Sequence, residues 1–311
     1  MDRPYVRLFL PDAVNPYHQL QAENASAVAD RLALTLDVDF ADGDFSVQVR
    51  QIVKATRQDV ERPDVVMVMP VQETALRGLS EETVRRGIGW VFLNRTAGNV
   101  ATLRQLATRP ELAVGFVAPD QKGIGDAHAR AVRLLFPQGA HVVYVQGRMT
   151  SSSAQERLAG FREAAARPGP ALDVAGMIDG NWAAEDCEKA LLRWLQLVIP
   201  TKVQVDAVVC QSDFMAMGAL AALRKAADTF HMPGLRTLPV VGCDGMASVG
   251  KRMVDQGELA ATVVVSTSAA PAIEAAAAAC RGTAPMPEEV LLPPRLYPEE
   301  AVLLRQSRHT A

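Results

Sequence analysis

Short apolar stretches along this chain repeatedly end in side chains able to hydrogen-bond a small polar molecule. The valine-rich run Ala207–Cys210 gives way to Gln211, Ser212 and Asp213, and then to FMAMGALAAL, a helix-forming segment rich in Ala, Leu and Met. LPVVGCDG (238–245) ends in Asp244, IGWVFLNR (88–95) in Asn94 and Arg95, and VRLFLPDAVNP (6–16) leads to Asn15. HVVYVQG (141–147) leads to a serine-rich turn and a segment carrying Arg157. In an open parallel sheet the ligand crevice lies beyond the carboxyl ends of the strands, so these positions define a candidate binding edge. Asp213, at the start of its helix, is expected to act as the N-cap. Asp244 before Gly245 also fits a turn residue, and Arg157 also fits an exposed helical arginine.

Patterns for catalysis are weak. Ser248-Val249-Gly250-Lys251 has the SxxK spacing of serine acylases, but the companion SDN and KTG motifs are missing. Gly123-Ile124-Gly125 lacks the third glycine of a dinucleotide fingerprint. No Walker A, GxSxG or HExxH pattern occurs, and His18, His128, His141, His231 and His309 share no metal-ligand spacing. The reading is therefore of a non-enzyme with no cofactor and no metal.

The elements that must position the polar groups follow from periodicity. Strands are expected at Val6–Leu10, Leu34–Phe40, the run from Pro63 to Met69, 88–95, Leu112–Val117, His141–Gln146, Val174–Ile178, 207–210, 238–244 and 259–265. Helices are expected at Gln19–Leu32, Phe45–Gln58, Ser80–Arg86 (Ser80 as cap), Ile124–Phe136, 153–166, 181–198 (Asn181 as cap), 214–223, 247–256 and Pro271–Cys280. Ser153 and Glu156 form a capping-box pattern, and RPGP (167–170) stops that helix. The PMP and PP pairs near the end point to extended segments with a frayed terminus. Strands alternating with helices predict doubly wound parallel sheets, and the restart of the pattern after Gln121 predicts two of them.

At 311 residues the chain can form two domains with sizeable cores. A net charge of −3 and scattered arginines give no reason to expect nucleic acid or an anionic membrane as partner. No apolar run reaches the ~20 residues that span a bilayer. Cys187, Cys210, Cys243 and Cys280 are far apart in sequence and read as free thiols, with one disulfide as the alternative. The first strand begins almost at once, without the basic and apolar regions of a signal peptide. The expectation is a cytoplasmic protein as the chain stands, or a periplasmic one whose export signal is missing from it. No room for a DNA-binding headpiece is expected before Val6.

With these residues in order, the chain resembles the type I periplasmic sugar-binding proteins for ribose, galactose and related sugars. It is also similar to the sensor domain of lac-repressor-type regulators. The resemblance rests on NPY near the start, LNR, SAQERLAGF, QSDFMAMGAL, VVGCDG and GELAATV, and it covers about Val6 to Leu292. It implies two lobes joined by a three-strand hinge, with a sugar-like ligand between them. The expected division is 1–118 plus 266–292 and 119–265 plus 293–311. By resemblance, Asn15, Tyr17 and His18 match a first-strand loop that meets the sugar. Asn94 and Arg95 match an Asp–Arg pair for ring hydroxyls, Arg157 matches the arginine of the second lobe, and Trp182 matches a ring-stacking aromatic residue. Ser212 stands where an Asn is usual, and Asp244 matches a ligand-binding Asp. Trp182 also fits a packing residue, and His18 a loop histidine. Planar Arg and Asp groups suit paired hydroxyls, and an aromatic face suits C–H surfaces. Met69 and Val265 lie where the family often has Asn and Gln, which implies a ligand with fewer or differently placed hydroxyls, or a drifted pocket. The resemblance implies the substrate-binding component of an ABC-type transport system, with a permease as partner. The alternative is a cytosolic ligand-sensing module that signals to a kinase or transcription regulator by protein–protein contact.

Overall fold

The computed structural model describes residues 3–57, 62–96 and 98–307; Gln58, the expected end of the second helix, and His309 lie outside them. The chain divides into two compact units, Met1–Pro119 with Thr267–Leu292 and Asp120–Ser266 with Pro293–Ala311. Each is a six-stranded sheet wound with helices.

Unit one runs β1 (Tyr5–Leu10), α1 (Pro16–Arg31), β2 (Thr35–Phe40), α2 (Phe45–Arg57), β3 (Val65–Val68), α3 (Arg77–Arg85), β4 (Gly89–Leu93), α4 (Val100–Leu106) and β5 (Val114–Pro119). Unit two continues with α5 (Gln121–Leu135), β6 (Ala140–Gln146), α6 (Ser152–Ala165), β7 (Leu172–Asp179), α7 (Ala184–Val198), β8 (Ala207–Cys210), α8 (Asp213–Thr229), β9 (Val240–Asp244), α9 (Arg252–Asp255) and β10 (Ala261–Val264). The chain then returns to unit one for α10 (Ala269–Cys280) and β11 (Glu289–Leu292). It ends in unit two with β12 (Arg295–Tyr297) and α11 (Glu300–Ser307).

The strand orders are β2-β1-β3-β4-β5-β11 and β7-β6-β8-β9-β10-β12. Every pairing is parallel except β10 with β12, an antiparallel edge added to an otherwise parallel sheet. In both sheets the first strand lies inside the second, so the order reverses between β1 and β3 and between β6 and β8. A reversal of this kind opens a crevice at the carboxyl edge.

The central strands are apolar throughout because both faces are covered. Val65–Val68, Gly89–Leu93 and Ala207–Cys210 are fully buried. In unit one Trp90 and Phe92 meet edge to face at 5.6 Å within a core that includes Phe9, Ile52 and Leu103. In unit two Val143, Val145, Leu191, Met215 and Leu223 form the corresponding cluster. Among the described residues all four cysteines are free thiols, three of them buried.

Several ends differ from the sequence expectation for local reasons. Ser80 lies inside α3, its Oγ bonding back to the Arg77 carbonyl at 2.8 Å, rather than capping it. The capping box at Ser153 does not form: Ser151 is the N-cap residue, and the Ser151 and Ser153 hydroxyls pair at 2.7 Å. Asn181 is no cap either. It adopts φ +53° two residues ahead of the α7 cap position, and its amide reaches Asp186 at 3.2 Å. The expected helix at 247–256 opens with a π-helical turn, Ala247–Lys251, before α9.

Candidate functional site

In unit two the polar groups gather at the order reversal. α6 carries Arg157, and it is brought close by its packing on α5. A Cβ at Gly125 would overlap the Arg157 carbonyl, and one at Gly160 would overlap the Lys122 carbonyl. Backbone on backbone, the two helices leave no slack in where the arginine starts. Its side chain is only 5% exposed, which corrects the reading of a solvent-facing helical arginine. Nε donates to Gln121 Oε1 at 2.8 Å, and Nη1 donates to the Gln211 carbonyl at 2.5 Å and approaches Cys243 Sγ at 3.5 Å. The guanidinium carbon lies 5.6 Å from the centre of the Trp182 ring, a cation–π arrangement.

Trp182 reaches this place through a tight turn. Asn181 and Trp182 both take left-handed backbone angles, φ +53° and +66°, unusual for residues other than glycine. The ring lies against Gly147, where any Cβ would overlap it. Gly147 in turn donates its N–H to Gln211 Oε1 at 3.0 Å.

Gln211, which the sequence placed in the polar turn after the strand without giving it a role, holds the site together. Fully buried at the end of β8, it accepts from Gly147 and donates to the Ala154 carbonyl at 3.0 Å and to Tyr144 Oη at 3.3 Å. Its own carbonyl holds Arg157. One residue thus ties the β6 loop, the first turn of α6 and the arginine together, the first two through its side chain and the third through its backbone carbonyl. Its signal in the sequence is a polar side chain directly after a fully apolar strand.

Ser212 takes the capping role expected of Asp213. Ser212 is the N-cap of α8, accepting from Met215 N–H at 3.2 Å, and Asp213 is the first helical residue. Asp213 is fully buried and points along the sheet, accepting from Gly245 N–H at 2.8 Å and Thr262 Oγ1 at 2.7 Å. Asp244, which ends β9, sits at φ +107°, with Gly245 following at +62°. Val265 N–H donates to the Asp244 carbonyl at 3.0 Å, and the Val265 side chain is buried.

The electrostatics follow from enclosure. Burial raises the Asp244 carboxyl to about 7, with the Arg157 charge and a backbone hydrogen bond at Asp213 pulling the other way. Burial, and then the Asp244 charge, push Asp213 well above the carboxylate range, against its bonds to Thr262 and Gly245. Burial also raises the Cys243 and Tyr144 groups. His128 goes down to about 3, first through burial and then through repulsion from Arg157. Around pH 7 Arg157 is therefore the standing charge of the cluster, facing a carboxyl poised to ionise.

Unit one presents its polar groups on either side of β3. Asn15 caps α1, accepting from Tyr17 N–H at 2.9 Å, with Pro16 at the first helical position. Tyr17 and His18 are buried in that first turn, their rings 6.4 Å apart. Asp12 organises the loop. It accepts from Val14 N–H at 3.0 Å and Asn15 N–H at 2.8 Å, and its other oxygen lies 3.1 Å from His18 Nδ1. The His18 contact is the largest of the effects that bring Asp12 to about 2. Past β4, Asn94 is buried with φ +62°, and Arg95 Nη1 reaches the Pro70 carbonyl at 3.4 Å. Met69 is buried, and Gln48 clamps the loop that follows it, bonding Met69 O and Val71 N–H, both at 2.9 Å. The structure thus groups Arg157, Trp182, Ser212 and Asp244 in unit two. In unit one Asn15, Tyr17 and His18 share one turn, and Asn94 and Arg95 lie beyond β4, with β3 between the two sets.

Paired parallel sheets with hydrogen-bonding groups at their carboxyl ends define a class of two-unit ligand-binding proteins. A model of the periplasmic binding protein domain matches residues 6–284, and the chain belongs to that family. It is 28% identical over 222 residues to a xylitol-binding protein of Mycolicibacterium smegmatis, covering 71% of this chain but 56% of that relative's length. It is 27% identical over 263 residues to the ribose import binding protein RbsB of Escherichia coli strain K12, with 85% of this chain and 79% of that one covered. Among solved structures, a Caulobacter myo-inositol binding protein bound to myo-inositol superposes with a TM-score of 0.79 at 26% identity, over 98% of this chain and 96% of that one.

Proposed function

We propose that the chain is the non-catalytic substrate-binding component of an ABC-type transport system, and that its ligand is a sugar or sugar-like polyol. The observation that carries the reading is the Arg157, Trp182 and Asp244 cluster at the carboxyl edge of unit two. A guanidinium and a carboxyl offer planar, two-point hydrogen bonding to adjacent hydroxyls, beside an aromatic surface for C–H groups. Unit one carries a set of hydrogen-bonding groups of its own in Asn15, Asn94 and Arg95. Named relatives that bind ribose, xylitol and myo-inositol support the ligand class. Met69 and Val265 are buried and apolar, so neither offers a hydroxyl partner.

The test is calorimetry and thermal shift against D-ribose, D-allose, xylitol and myo-inositol. A ligand at a thousandfold excess over its Kd stabilises the native state by about 4 kcal/mol, a shift easily read. Arg157→Ala is expected to weaken the affinity at least tenfold, about 1.4 kcal/mol. No binding by any of the four at millimolar concentration, or an unchanged affinity in the variant, defeats the assignment.

A further inference from the structure

Asp213 does work that a helix cap would not do. It is completely enclosed, yet it lies one residue inside α8 and turns away from the helix toward two other strands. Gly245 N–H and the Thr262 hydroxyl hold its two oxygens. Its surroundings are shaped to it: a Cβ at Gly242 in β9, or at Gly250 in the π-helical turn, would overlap the carboxyl. The bond to Gly245 falls on the residue after Asp244, where the backbone passes through two successive positive φ angles, +107° and +62°. A non-glycine residue keeps such a conformation only where its neighbours impose it. Asp213 is the side chain seen to hold that turn.

The charged and titratable groups around the pair are few. α6 contributes Arg157, which bears on Asp244 and Cys243; β9 contributes Cys243 and β8 contributes Cys210. β10 contributes the neutral Thr262, and the turn after β9 contributes Gly250. Beyond Arg157 lie His128 of α5 and Tyr144 of β6. The partners of Asp213 are thus the backbone of Gly245 and of Cys243 and the Thr262 hydroxyl, while the arginine acts on its neighbour. Two like charges sharing one enclosed site do not both ionise readily.

We propose that Asp213 is the positioning residue for Asp244: one of its oxygens accepts from Gly245 N–H and the other from Thr262 Oγ1, fixing the turn that presents Asp244. The consequence for ligand affinity rests on the sugar-binding reading, but the positioning role is tested without ligand. It also explains the two glycines, since an acid that cannot leave its place needs backbone room on both sides.

The test is a carboxyl ¹³C NMR titration of the ligand-free protein labelled at aspartate, from pH 5 to pH 9. Asp244→Asn and Asp213→Asn identify the two signals by their loss. In the wild-type protein Asp244 is expected to titrate near pH 7. Asp213→Ala releases the turn, and the midpoint should fall by about one unit or more as water reaches Asp244. Asp213→Asn keeps an acceptor for Gly245 N–H, so the Asp244 midpoint should stay clearly closer to the wild-type value than in the Ala variant. An Asn variant that moves Asp244 as far as the Ala variant does overturns the proposal. If the Asn variant does not fold, the Gly245 amide of the wild-type protein decides: protection from hydrogen exchange is expected, and a freely exchanging Gly245 amide overturns the proposal. A sugar screen without hits would leave these titrations unaffected, so the two readings fail separately.

Discussion

Asp244→Asn should make the ligand-free protein more stable, and more so at high pH than at low. The sign follows from the direction of the shift. Asp244 titrates near 3.8 when unfolded and about 7 when folded, so the unfolded chain loses its proton first as pH rises. From about pH 4 to pH 7 the native state therefore gives up stability through this group, and above pH 7 the loss is constant. A difference of about three units at ~1.36 kcal/mol each sets a ceiling of about 4 kcal/mol. The residue as a whole is only half-buried and some solvent reaches it, so about half of that, ~2 kcal/mol at pH 8, is the expected gain. Asn tolerates a positive φ better than most residues and stands in for the neutral acid. The assay is urea unfolding of wild type and variant at pH 4.5, 6, 7 and 8, followed by tryptophan fluorescence. Trp182 and Trp194 report on unit two, and the single unit-one tryptophan is Trp90. Equal stability differences at pH 4.5 and pH 8, or a variant less stable at pH 8, would refute the reasoning. The burial that costs stability would then be offset by a contact to Asp244 stronger than those identified.

Gly147→Ala should cost about 1–3 kcal/mol and shift the tryptophan emission, because the new methyl must displace the Trp182 ring; an unchanged spectrum and midpoint would show that the ring is not seated there. Asp12→Asn should weaken the first loop of unit one by about 1 kcal/mol at pH 7. Asp12 is held down to about 2, so its contribution is present above pH 4 and lost as pH falls toward 2. Wild type and variant should therefore converge in stability on acidification, and a gap that persists at pH 2 contradicts the assignment.

Much of the architecture was legible because buried parallel strands leave little choice of residue. Val65–Val68 and Ala207–Cys210 could hardly be anything else, and each was bounded by a polar residue. What failed were the places where a side chain chooses among partners distant in sequence. Asp213 looked like a cap because capping needs only local contacts, yet its partners are 32 and 49 residues away. Ser80 and Asn181 failed differently, through partners close in sequence: the Ser80 hydroxyl donates to the Arg77 carbonyl and the Asn181 amide to Asp186, rather than accepting from the N–H groups of a helix end. α4 escaped notice because VATLRQL is short and follows Gly98-Asn99. The prolines near the end pointed to extended segments, and β12 is one, but its antiparallel pairing is a tertiary fact that three residues do not announce. Of the site, Arg157, Trp182 and Asp244 were marked, but Gln211 and Gln121, which hold the arginine, became visible only through geometry.

The order in which the chain visits its two units sets a constraint on synthesis. Unit one has five strands in place by Pro119, but its sixth, β11, pairs with β5 and comes only at Glu289–Leu292, after α10 has packed on α1. Unit two closes its sheet still later, when Arg295–Tyr297 pairs with β10. A growing chain thus exposes the open edge of β5, with unpaired N–H and C=O groups, throughout the making of some 170 residues, roughly 10–30 s at ordinary elongation rates. Neither sheet is complete before residues 289–297 are made, and shortening the chain before Leu292 leaves two unfinished sheets instead of one finished domain.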